Sequence, residues 1–206
     1  MEKSDKRVIA FDLGNVLFGF DYVIALQKIE KRMRTTVNEV MEALYAKDFT
    51  IPFEKGLVSG PAFYENFKKE FALTCGYTEF VDIWCKIFFP KNEVINLARK
   101  VSYHYPLYLI SNTNELHFEY LYNKYKKFFL LFDSLILSYR VKSVKPENEI
   151  YQALKDATKR DYKDIVYIED RKELIMEAKR LNFQCIHFID YLKLCEDLKR
   201  LKVNIT

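Results

Sequence analysis

The chain has 206 residues, half of them hydrophobic and including 17 Phe and 15 Tyr, so it can bury a substantial core and is not a disordered segment. Its net charge of +4 comes from interspersed Lys/Arg and Asp/Glu, a pattern of solvated faces that argues against a nucleic-acid groove. No apolar run reaches membrane-spanning length, and Met-Glu-Lys-Ser-Asp-Lys-Arg does not read as a secretory leader.

Cys75, Cys85, Cys185 and Cys195 show neither a CxxC pair nor zinc spacing. The expectation is a cytoplasmic protein with reduced thiols and no membrane or nucleic-acid partner. Its oligomeric state is not read from the sequence.

The first apolar run, 8–11, ends on Asp12 and breaks at once into Gly14-Asn15. A buried parallel strand delivers a single acid to a sheet edge in this way. Such an acid is a nucleophile, a metal ligand or merely a helix cap. Four helical patterns follow, at 22–34, 37–46, 61–71 and 78–88. They are separated by Thr35-Thr36, by Ile51-Pro52-Phe53-Glu54-Lys55-Gly56 and by Cys75-Gly76, and they predict a small inserted bundle.

Strand-like runs then recur at 107–110, 135–137, 165–168 and 185–188. Between them lie helical patterns: 115–129, then Ile150, Leu154 and Ala157 after Pro146, then Leu174, Ala178 and Leu181. Residues 190–206 predict a terminal helix. The fold class is therefore α/β, a Rossmann-like parallel sheet carrying an inserted helical cap. The expected division is a core of residues 1–18 and 96–206 with a cap of residues 19–95.

Polar signals sit where the apolar runs end: Ser111-Asn112-Thr113-Asn114 after the second, Lys145-Pro146 after the third and Glu169-Asp170 after the fourth. The carboxyl ends of strands in an open α/β sheet border one crevice, so these groups converge with Asp12. Their chemistry suits phosphoryl transfer. Asp12 can attack phosphorus. The acidic cluster offers hard oxygen ligands to Mg²⁺. Ser111, Lys145 and the backbone N–H groups after Asp12 can hold the equatorial oxygens of a small phosphorylated substrate. Each also has a plainer role: Ser111 as a helix cap, Lys145 as a solvated loop lysine, Glu169-Asp170 as acids at a helix N-terminus.

The motifs Phe11-Asp12-Leu13-Gly14-Asn15-Val16-Leu17, Ile110-Ser111-Asn112-Thr113-Asn114, Lys145-Pro146 and Tyr167-Ile168-Glu169-Asp170 resemble those of haloacid-dehalogenase-like (HAD) hydrolases of subfamily I, almost end to end. Phe53-Glu54-Lys55-Gly56 before Ser59 and Phe63, and Ser138 ahead of the lysine, fit the same likeness. The resemblance implies Asp12 as nucleophile and metal ligand, and Lys145 as the cation between nucleophile and phosphate. It implies Ser111, Asn112, Gly14 and Asn15 at the substrate. Asp12, the Gly14 carbonyl, Glu169 and Asp170 would hold Mg²⁺.

One departure matters. Most phosphatases of this family carry a second Asp two residues after the nucleophile as general acid, where this chain has Gly14. Leu174 and Asn182 also stand where Asn and Gly are common. The Asp-hydrophobic-Gly-Asn-Val form and the run from Ser111 to His117 are similar to a branch that includes phosphatases like α-D-glucose-1-phosphate phosphatase. The leading expectation is thus a Mg²⁺-dependent phosphatase on a small phosphorylated metabolite, such as a sugar phosphate, through an aspartyl phosphate.

The alternative is a catalytically weak or inactive HAD-like domain that binds a protein or ligand. A dehalogenase has no use for the acidic pair, and a phosphomutase leans on the missing acid. Asp21 follows the first motif closely enough to reach the crevice as a substitute acid, but a helix N-cap is the favoured role; His117 is favoured as a helix-face residue over a catalytic one. Tyr45, Phe49 and Phe53 line either a pocket or the core.

Overall fold

The apolar runs of the sequence pair into a five-stranded parallel sheet of order β5-β4-β1-β6-β7, with β1 Val8–Phe11, β4 Leu107–Ser111, β5 Ser134–Leu137, β6 Ile165–Glu169 and β7 Gln184–His187. The computed structural model describes residues 7–206, apart from the side chains of residues 47 and 48. Residues 1–6, most of the Met-Glu-Lys-Ser-Asp-Lys-Arg start, lie outside the described residues.

Period-two side-chain alternation divides the sheet's burial between two faces. Ile9, Phe11, Leu107, Leu109, Val166 and Ile168 join one apolar cluster. Val8, Ala10, Tyr108, Ile110, Ile165 and Tyr167 join another. Both faces are covered, which is why the central strands read as unbroken apolar runs. β1 lies centrally beside β6, Phe11 opposite Ile168, so the acids that end the two strands emerge side by side.

Helices α6 Asn92–Ser102, α7 Glu115–Phe129, α8 Ser138–Val141, α9 Asn148–Thr158, α10 Lys172–Arg180 and α11 Tyr191–Arg200 accompany these strands. The α6 helix, unread in the sequence, sends Val94, Leu97, Ala98 and Val101 into the sheet's core. Asn182, just past α10, has a φ of 69°, a left-handed conformation that Asn tolerates.

Between β1 and α6 the chain makes five α-helices where the sequence analysis expected four: α1 Tyr22–Ile29, α2 Val37–Tyr45, α3 Lys47–Glu54, α4 Gly60–Phe71 and α5 Tyr77–Cys85. Residues 51–54, read as part of a separator, are the end of α3. Pro52 costs that helix one hydrogen bond, but Phe53 stacks on Phe63 at 4.4 Å and burial holds the segment. The pattern at 22–34 ends earlier, at Ile29, and passes into a 3-10 turn, Glu30–Arg32.

The pattern at 78–88 stops at Cys85 because Phe88–Pro90 (β3) pairs antiparallel with Phe18–Phe20 (β2). Gly19 lies under the Phe89 ring, where a Cβ has no room. The inserted helices share their own aromatic cluster around Phe53, Phe63, Phe67, Phe80 and Trp84. No helix among the described residues is long and apolar enough to cross a membrane.

Candidate active site

Asp12 leaves the end of β1 buried, with its N–H donating to the Ile168 carbonyl of β6 at 2.9 Å. Lys145 sits in the turn before α9 and is 4% exposed, so the solvated-loop reading of this lysine fails. Its Nζ donates to Asp12 Oδ1 at 2.6 Å, to Glu169 Oε2 at 2.6 Å and to the Ile110 carbonyl at 3.3 Å. Tyr167, two residues before Glu169 and on the same face of β6, donates its hydroxyl to Glu169 Oε2. The Arg171 N–H donates to Glu169 Oε1 at 3.2 Å.

Asn112 clamps the lysine's backbone. It accepts from Lys145 N at 2.7 Å and donates to the Lys145 carbonyl at 3.0 Å. Both ends of this amide are thereby spent on placing the lysine. Ser111 is buried at the end of β4, its hydroxyl 3.4 Å from the Asn112 carbonyl. It does not cap α7; Asn114 does, by accepting from His117 N at 3.0 Å. Asn15, at a φ of 54°, donates a side-chain hydrogen bond to Asp170.

Carboxylate oxygens of Asp12, Glu169 and Asp170 lie within 4.8 Å of one another. Crowded acids resist ionisation. Burial and then Glu169 push Asp12 up to about 7 against the pull of Lys145. Burial and contact with Glu169 push Asp170 up to about 6, opposed by Asn15 and Lys145. Burial works against the charge of Glu169 too, yet Lys145, Asp170 and Tyr167 hold its pKa below the ordinary value. Burial likewise opposes the Lys145 ammonium, but Asp12 and Glu169 hold it firmly protonated. When all three carboxylates are ionised, one ammonium leaves two negative charges, the amount that one divalent cation neutralises. The donor set is all oxygen, which suits a hard cation.

Gly14 leaves less space than its small size implies. A Cβ there would stand 3.1 Å from the Phe20 ring and 3.8 Å from Asp12 Oδ2. Asp21 caps α1, accepting from Val23 N at 2.9 Å. His117 is buried between Asn114, which donates to Nδ1 at 3.0 Å, and the Trp84 carbonyl, 3.2 Å from Nε2. Of the three aromatics considered for a pocket, Tyr45 is exposed, while Phe53 and Phe49 pack on the Phe63 ring of the bundle. All four cysteines are free thiols, and Cys185 lies on β7.

Two side chains near the crevice were given no role from the sequence. Tyr167 carried a usable signal, its two-residue offset from Glu169. Glu54, at the end of α3, stood in the Phe53-Glu54-Lys55-Gly56 run of the family likeness but was given no role there, because its helix was read as a separator.

No family model matches the chain. Among solved structures it is similar to a HAD family enzyme from Bacteroides thetaiotaomicron, with a TM-score of 0.80 and 23% identity over 89% of this chain and 94% of that one. The same enzyme in complex with magnesium and inorganic phosphate matches at a TM-score of 0.78, over 88% and 93% of the two chains. A predicted HAD-like family hydrolase from Porphyromonas gingivalis matches at 0.78, with 20% identity over 94% and 98%. An L-2-haloacid dehalogenase from Xanthobacter autotrophicus, with chloropropionic acid covalently bound, matches at 0.64 and 12% identity over 96% and 84%.

Proposed function

We propose that this chain, whose fold is that of the HAD-like enzymes, is a phosphoric monoester hydrolase of that superfamily and acts on a small phosphorylated metabolite. The observation that carries the reading is the buried Asp12–Lys145–Glu169 pairing with Asp170 beside it, at the carboxyl edge of the sheet. A scaffold has no physical need to bury two carboxylates against one lysine and set a third beside them.

Asp12 attacks phosphorus and forms an aspartyl phosphate, and water then releases phosphate. Lys145 holds Asp12 through Oδ1 and offsets the charge of the arriving phosphoryl group. Ser111 and the N–H groups after Asp12 bind phosphoryl oxygens. Asn112 acts through Lys145 as a positioning residue. Asp12, Glu169, Asp170 and the Gly14 carbonyl would hold Mg²⁺, which when bound neutralises charge on the phosphoryl group. The magnesium and phosphate bound by the Bacteroides enzyme support this reading.

Residues 19–95 are taken as the cap that covers the crevice, and a sugar phosphate is the favoured substrate. Four free thiols fit a cytoplasmic location. The competing reading, a domain with little activity, draws on Gly14 alone. A phosphate-release screen over phosphorylated metabolites, with and without Mg²⁺, separates the two. Mg²⁺-dependent release from at least one sugar phosphate is expected, and silence across the panel would remove the phosphatase assignment.

A further inference from the structure

We propose that Glu54 is the general acid–base of this site, delivered from the inserted helices in place of the acid that Gly14 lacks. The assignment rests on the phosphatase reading and adds the residue that protonates the leaving group.

The residues flanking Glu54 are tied to the segment that carries Lys145. Ser138 Oγ lies 2.7 Å from the Glu54 carbonyl and also accepts from Thr113 N at 2.9 Å. Lys55 Nζ meets Glu147 Oε1 at 2.5 Å, while Glu147 Oε2 accepts from Ser143 Oγ at 3.0 Å and Val144 N at 3.2 Å. Lys142 Nζ donates to the Gly56 carbonyl at 2.5 Å. The end of α3 is thus fastened to the turn that places Lys145 against Asp12.

The Glu54 side chain is treated differently. It is partly buried, and its carboxyl takes no hydrogen bond from any described residue. The charged groups that act on it are Arg171, before α10, and Lys145; Tyr22 of α1 also faces it. Both cations are committed elsewhere, Lys145 to Asp12 and Glu169, Arg171 to Glu173 at 2.7 Å. A partly buried carboxyl near the lysine that holds Asp12, with no hydrogen-bonding partner, is available to a ligand. Burial pushes its pKa up to about 7 despite Arg171 and Lys145, so it can both give and take a proton near neutrality.

In the first step Asp12 attacks phosphorus and the bond from phosphorus to the leaving oxygen breaks. The Glu54 proton passes to that oxygen, giving an alcohol and a Glu54 carboxylate. In the second step this carboxylate takes a proton from water. The hydroxide oxygen bonds to phosphorus, the bond to Asp12 breaks, and phosphate departs with Glu54 again protonated. One ester and one water are consumed; one alcohol and one phosphate are released.

The test compares Glu54→Gln and Glu54→Asp with the wild type on two probes, glycerol phosphate and p-nitrophenyl phosphate, with Mg²⁺ present. Glu54→Gln should lose roughly 10²–10⁴-fold in kcat/KM on glycerol phosphate, and the fall in rate above about pH 7 should vanish from its profile. On p-nitrophenyl phosphate, whose leaving group needs no proton, it should give a burst of p-nitrophenolate and then stall. Phosphorylated Asp12 should accumulate in acid-quenched samples. Glu54→Asp keeps the carboxyl and should recover part of the glycerol phosphate activity.

Equal losses on both probes without a burst would assign Glu54 a purely structural role, and no loss on either would remove it from the reaction. If the wild type neither turns over a probe nor takes up a phosphoryl group, the phosphatase reading itself fails and this assignment falls with it.

Discussion

Around Phe63 the inserted helices bury rings; around Asp12 the sheet edge buries charges. The first region packs Phe53, Phe67, Phe80 and Trp84 within 4.4–6.4 Å of the Phe63 ring centroid, an arrangement of apolar rings whose burial favours folding. The second crowds Asp12, Glu169 and Asp170 together, where burial and Glu169 raise the pKa values of the two aspartates, relieved by one lysine. One region supplies stability and the other stores electrostatic stress that a cation and a phosphoryl group can relieve. Substitutions should therefore separate cleanly: losses of function without unfolding at the sheet edge, and losses of stability in the bundle.

The largest effect is expected at Asp12. An amide is a poor nucleophile, so Asp12→Asn should lower phosphate release by about 10⁴-fold or more. Lys145 keeps Glu169 as a partner, and one carboxylate leaves the crowded cluster, so the thermal midpoint should stay level or rise without metal. A clear drop in midpoint would place Asp12 among the residues that hold the fold. Phe63→Ala reverses the pattern. Deleting a ring that is 2% exposed should cost about 3–5 kcal/mol in urea unfolding, with a far smaller effect on turnover of whatever remains folded.

What the sequence disclosed follows the same division. The site-bearing strands were legible because each is a short apolar run ended by a polar group, and parallel topology forces those ends together. Asp12, Ser111, Lys145, Glu169 and Asp170 could therefore be named from spacing. The bundle was legible as helical but miscounted, because Pro52 looks like a boundary and only the stacking of Phe53 on Phe63 makes α3 continuous. Missing α3 also hid Glu54, whose place depends on ties to residues 84 and 92 positions away through Ser138 and Glu147. Spacing cannot reveal such contacts. The α6 helix went unread although Val94, Leu97, Ala98 and Val101 keep a helical period.

His117 stands at the seam between the two regions and provides a pH test of it. Burial holds its pKa down to about 4, against an ordinary value of 6.5. Between those values the unfolded chain binds the proton and the folded chain does not, so stability rises with pH across this window and is lost as pH falls from 6.5 toward 4. The loss approaches about 3 kcal/mol at its lower end. His117→Gln should flatten that part of the pH dependence relative to wild type, read from urea unfolding at pH 7 and pH 4.5. An unchanged difference between the two pH values would mean that the ring titrates normally.

The smallest effect is expected at Gly14, and it bears most directly on how the two regions cooperate. If the inserted helices already supply the acid through Glu54, adding one at the sheet edge is redundant. A Cβ at Gly14 also presses on the Phe20 ring at 3.1 Å, so the new carboxyl enters only if that ring yields by a few tenths of an ångström. Gly14→Asp in the otherwise native protein should therefore change glycerol phosphate turnover by less than about threefold. In the Glu54→Gln background the redundancy is gone, and the same substitution should restore about tenfold on glycerol phosphate and relieve the stall that follows the p-nitrophenyl phosphate burst. A large gain in the native background would mean that the protein lacks an acid and that Glu54 does not provide one. Absence of rescue in the double variant, followed by rescue once Phe20→Leu is added, would trace the Gly14 requirement to the ring that β2 lays across it.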